Sequence, residues 1–114
     1  MHQLITQSPD IHAVFISNDQ MALGALRAAR ELGRQIPQDI AMVGFDDIPE
    51  SAYFHPSLST MKQDTDELGC RAVKELVHLV EATQQGAERI NPKTVLLQPQ
   101  LIVRESSGLC VSDA

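Results

Sequence analysis

The chain has 114 residues, 43% hydrophobic and 21% charged, and its 15 acidic and 9 basic residues leave a formal net charge of −6. This balance suits one globular unit or part of one, long enough for a real core, and the lack of a dense Lys/Arg cluster excludes nucleic-acid binding by this segment alone. No apolar run approaches the ~18 residues of a membrane span, and residues 1–10, MHQLITQSPD, lack the basic-then-apolar order of a secretory signal.

The first predicted element is a strand over residues 12–17, HAVFIS, apolar and rich in β-formers, which reads as buried on both faces. A helix over 18–33 follows. Ala22, Ala25, Leu26, Ala29 and Leu32 recur at three- and four-residue spacing and make one apolar face. Ser17 and Gln20 have capping-box spacing. Arg27, Arg30 and Arg34 lie toward the end where the helix dipole favours cations, and Gly33 and Pro37 supply a stop. A second buried strand, IAMVGF, spans 40–45. Strand, helix and strand in this order make a βαβ unit with parallel strands.

Beyond it, IPESAYFHPS (48–57) reads as an irregular loop or short turn of helix. LSTMKQ (58–63) is a weaker extended segment. Asp64 and Glu67 repeat the capping-box spacing, and Leu68, Ala72, Val73, Leu76, Leu79 and Val80 carry a helix to about Thr83. QQGAERINPK (84–93) reads as a polar loop. TVLLQPQLIVRES (94–106) is extended, with Pro99 arguing for a bend or an edge position, and SGLCVSDA (107–114) reads as a fraying tail. Cys70 and Cys110 make no CxxC and read as reduced thiols, and the four histidines have no metal-ligand spacing.

Parallel strands present their carboxyl ends at one edge, where open α/β sheets bind ligands. The first strand runs into Ser17-Asn18-Asp19 and the second into Asp46-Asp47. An amide beside a carboxylate suits vicinal hydroxyls, because the pair donates and accepts together. Asn18 and Asp46 are therefore the candidate ligand contacts. Asp19 and Asp47 read as a helix cap and a turn former. Tyr53 and Phe54 either plug the rim of the core or serve as interface anchors, and Leu23 lies off the main helical stripe, free to meet a partner. His55 reads as a plain loop histidine. The nucleophile-elbow, zinc-protease, Walker and dinucleotide motifs are absent, so an enzyme is not expected, and neither a metal nor a cofactor is implied.

Several ordered segments, AVFISNDQMALGALRAARELGRQIPQDIAMVGFDD, YFHPSLSTMKQ, LGCRAVKELV and LIVRES, together resemble the C-terminal part of the LacI/GalR family of bacterial transcription repressors, over residues 13 to about 107. The resemblance implies an α/β fold: a Rossmann-like parallel sheet forming the C-terminal subdomain of a periplasmic-binding-protein-like I fold, here incomplete. It implies a cytoplasmic protein that binds a small effector, a sugar or a related polyol or nucleobase compound, and that meets operator DNA only in its full-length form. By the same resemblance Asp46 and Asn18 match effector contacts, and Lys62 and Gln63 match the crossover between subdomains near the cleft. Leu23, Tyr53 and Phe54 match the dimer interface. The helix over 64–83 would belong to the N-terminal subdomain of the intact protein. No DNA-binding headpiece precedes residue 13, so a truncated effector domain is expected. Its helix over 64–83 would expose an apolar face, to be covered in a dimer or a domain-swapped assembly. A sugar-binding protein of a transporter shares the fold and is the first rival. A receiver-like phosphoacceptor domain, which also needs an acidic cluster, is the second.

Overall fold

The computed structural model describes residues 1–86, 91 and 93–108. The chain divides into two compact bodies: residues 1–62 with the segment from Gln100 onward, and residues 63–99.

The first body is built on a four-stranded sheet in sequential order. Strands β1 (Ala13–Phe15), β2 (Ala41–Asp46) and β3 (Ser59–Lys62) are parallel, and β4 (Gln100–Ile102) pairs antiparallel with β3 at one edge. Val43 faces both Phe15 and Ser59, and Asp46 faces Lys62. The expected parallel sheet is therefore a mixed one. Only three residues of the extended stretch 94–106 join it, directly after Pro99, whose missing N–H suits the start of an edge strand.

Helix α1 (His2–Gln7) was not anticipated from the sequence, and it inserts Ile5 into the core. Helix α2 (Asp19–Glu31) lays Ala22, Ala25, Leu26 and Ala29 against Ile16, Ile40, Met42 and Leu58. Its ends correct the sequence reading. Asn18, not Ser17, is the N-cap, accepting the Met21 N–H at 2.8 Å, while the Ser17 hydroxyl points to the Met21 sulfur. Gly33, at φ 72°, ends the helix as expected, in the left-handed conformation that glycine adopts most cheaply. Leu32 is 40% exposed and lies outside the buried stripe.

The strands are not buried on both faces. Phe15 is 65% exposed and meets Phe45 edge-to-face at 6.4 Å, on the side of the sheet away from Met42 and Gly44. A short apolar run looks the same in sequence whether one or both faces are covered. The loop after β2 contains a 3₁₀ turn, Pro49–Tyr53, matching the irregular turn expected there.

The second body is dominated by helix α3 (Thr65–Gln84). Asp64 caps it, accepting the Glu67 N–H at 2.8 Å, as the spacing predicts. None of its side chains is buried within this body, and Leu68, Val73, Leu76, Val77, Leu79 and Val80 are all at least 41% exposed. Cys70 is an exposed free thiol. Cys110, half of the expected 84–93 loop and the tail from residue 109 lie outside the described residues.

Candidate functional site

Because β1, β2 and β3 are parallel, Asn18, Asp46 and Lys62 stand at the carboxyl ends of three adjacent strands. Asn18 is half-buried and its Oδ1 is engaged in the helix cap, so the helix fixes its orientation. The capping bond does not use the side-chain amide's two donors. Asp46 is exposed at the end of β2 with φ 113°, a conformation that side-chain-bearing residues rarely adopt. Asp47 follows at φ 55°. Two consecutive non-glycine residues at positive φ mark the turn as one that the surrounding structure holds in place.

The holding group is Asp19. Its residue is fully buried, contrary to the simple cap or turn role read from sequence. One carboxylate oxygen accepts the Ile48 N–H at 3.1 Å and the Ser51 hydroxyl at 2.5 Å. The other accepts the Thr60 hydroxyl at 2.6 Å. The Thr60 oxygen in turn accepts the Asp47 N–H at 3.3 Å. The network fills the space above Gly44, where a Cβ would collide with the Asp19 carboxylate and come within 2.9 Å of Leu58 Cδ2.

Asp47 is more than a turn former. Its Oδ1 accepts from Arg104 Nη2 at 2.8 Å in a largely enclosed pair, and Arg104 Nη1 donates to the Leu58 carbonyl, also at 2.8 Å. The segment after β4 is latched to β3 by serines. The Ser59 N–H donates to Ser106 Oγ at 2.8 Å, and that hydroxyl donates to the Met42 carbonyl at 2.6 Å. The Ser57 N–H donates to Glu105 at 2.8 Å, which, with the Ser57 hydroxyl, holds the Glu105 carboxyl below the usual range.

The remaining candidates fall apart by location. Lys62 is exposed and closes the first body, and Gln63 opens the second. Leu23 and Tyr53 are 51% and 86% exposed, whereas Phe54 is half-buried against the core, the rim role kept open above. The acids do not form a phosphoacceptor cluster: Asp19 is enclosed by donors, Asp47 is paired with Arg104, and no group of three or more His, Cys, Asp or Glu among the described residues converges on a metal position. An exposed carboxylate and a capped amide on one sheet rim are equipped to bind hydroxyl-bearing ligands.

Residues 1–107 match the periplasmic binding protein-like domain. This chain belongs to that family, in its LacI/GalR regulator branch. The HTH-type transcriptional repressor PurR of Yersinia enterocolitica is 39% identical over 106 residues, which are 93% of this chain and 30% of the repressor. A LacI family regulator from an Arthrobacter species, solved in complex with lactose, superposes with a TM-score of 0.74 at 33% identity, over 93% of this chain and 38% of that one. The lac repressor dimer bound to operator and an anti-inducer gives 0.75 at 35%, over 93% and 35% of the two chains. The LacI/GalR-type chain thus spans about a third of the length of these relatives.

Proposed function

We propose that this chain is the effector-binding and dimerisation portion of a LacI-type bacterial transcription repressor, acting in the cytoplasm and without enzymatic activity. Asp46 is the principal acceptor for a sugar-like effector, and Asn18 assists it. The observation that carries the reading is Asp46 itself, exposed on the carboxyl rim at φ 113° and followed by a turn fixed through Asp19, Thr60 and Arg104. A relative bound to lactose and another bound to cellobiose support a hydroxyl-rich ligand. Lys62 and Gln63 form the crossover into the second subdomain of the intact protein, to which α3 belongs, and the separation of residues 63–99 as their own body supports that assignment. Leu23, Tyr53 and Phe54 form the homodimer contact, with Phe54 reaching it from the core rim. In this chain a dimer or a domain-swapped assembly covers the apolar face of α3. Operator DNA is bound only by the full-length protein, whose effector biases subdomain closure and so operator affinity.

The test is Asp46→Ala in a full-length repressor carrying this chain. Two charge-assisted hydrogen bonds are worth about 1.5–3 kcal/mol each, so effector affinity is expected to fall by about a hundredfold or more. Operator binding and dimerisation are expected to stay intact. Unchanged effector affinity would remove Asp46 from the site.

A further inference from the structure

The edge of the sheet opposite the candidate effector rim carries an open groove of about 980 Å³. Residues 35–38, leading into β2, and 55–57, leading into β3, form its walls with the end of α2 and with Glu105. Its charge runs against that of the chain. Three of the nine Lys/Arg residues line it, Arg30, Arg34 and Arg104, against one of the fifteen acids, so it is locally cationic on an acidic protein. The acid, Glu105, is occupied by the Ser57 N–H and hydroxyl, and Arg104 is neutralised by Asp47.

Arg30 and Arg34 differ from Arg104. Each is held by a backbone carbonyl, Arg30 by that of His55 and Arg34 by that of Pro9 at 3.0 Å, and neither has a carboxylate within salt-bridge distance among the described residues. A neutral acceptor orients a guanidinium without cancelling its charge. A guanidinium so fixed loses less side-chain freedom on binding and keeps further N–H donors for an oxyanion. Gln35, Gln38 and Ser57 add polar groups to the wall, and His55 adds an imidazole ring.

We propose that this groove is a second ligand site, binding a small metabolite with phosphate or carboxylate groups through Arg30 and Arg34, on the opposite edge of the sheet from the hydroxyl-binding rim. It does not rest on the effector assignment. The test is an NMR titration of the 114-residue chain with pyrophosphate and, separately, citrate, at constant ionic strength maintained with NaCl. Saturable shifts of the Arg30 and Arg34 Nε–H signals are expected. Binding is expected to weaken about tenfold or more in R30Q and in R34Q, and to be unchanged in R71Q, a control on α3. R34Q retains the Arg30–His55 bond, so it decides the matter should R30Q unfold. Saturation by pyrophosphate alone assigns a phosphate ligand, and saturation by citrate alone a carboxylate. Shifts that never saturate, that NaCl reproduces, or that R71Q weakens as much as R34Q would overturn the site.

Discussion

Asp19→Ala is the most incisive perturbation of the first body. The substitution removes the acceptor of three hydrogen bonds from Ile48, Ser51 and Thr60 at a fully buried position. Bonds to a charged acceptor contribute about 1.5–3 kcal/mol each, which sets an upper bound near 9 kcal/mol. Two terms reduce it. Removing a buried carboxylate returns several kcal/mol of desolvation, and the two hydroxyls can rotate toward other acceptors, whereas the Ile48 N–H cannot. A net loss of about 3 kcal/mol remains, much of it from the stranded N–H and a small cavity. Asp19→Asn should cost less, about 1–2 kcal/mol, because its oxygen can face Ile48 and Ser51 while its amide donates to Thr60 Oγ1. The assay is urea unfolding followed at amides at the start of β2, away from the carboxylate, such as Ala41, which donates to the His12 carbonyl at 2.8 Å. With a urea slope of about 1.5 kcal/mol per molar, the alanine variant shifts the midpoint down by about 2 M. An alanine variant within 0.5 kcal/mol of the parent, or an asparagine variant worse than alanine, would refute this account.

Gly44→Ala should destabilise by about 1–3 kcal/mol through its collision with Asp19 and Leu58, whereas Gly24→Ala, mid-helix with nothing within 4 Å of the new methyl, should stabilise by about 0.5–1 kcal/mol in the same urea assay. The Glu105 carboxyl is held low, first by the Ser57 N–H and then by the Ser57 hydroxyl. A lowered folded pKa gives stability that is present above the unfolded value of 4.5 and lost as pH falls through the folded one; Glu105→Gln should therefore flatten acid unfolding in that window, read from the unfolding midpoint against pH. Leu23→Asp and Tyr53→Asp place charges at exposed positions, 51% and 86% accessible, so they should leave monomer stability within about 0.5 kcal/mol while abolishing the dimer in sedimentation velocity.

What the sequence disclosed follows the range of the interactions involved. Helices α2 and α3 were legible because their signals are local: the apolar period of α2, Gly33 at its end, and Asp64 three residues before the amide it caps. Asp19 was misjudged because its partners lie 29, 32 and 41 residues away, in segments that read as a loop and a weak strand. Its only faint sequence signals are a glycine in β2, Gly44, and small polar residues, Ser59 and Thr60, in a strand. Antiparallel β4 was blurred into a longer extended stretch, since only pairing with β3 sets its limits.

The acidic pair shows most plainly why the site needed the structure. Read in sequence, Asp46 and Asp47 separate into a ligand contact and a turn former, but their backbone binds them into one device. Each positive-φ residue costs about 1–3 kcal/mol, so the pair stores about 2–6 kcal/mol in a turn that would otherwise relax. Three anchors oppose relaxation: the Asp47 N–H on Thr60, the Asp47 carboxylate on Arg104, and the next amide, Ile48, on Asp19. At about 1–3 kcal/mol each they balance the strain. Asp46 is thus presented on the rim by groups that lie behind it, and a variant at Asp19, Thr60 or Arg104 should reorient the Asp46 carboxylate and so weaken the proposed effector binding.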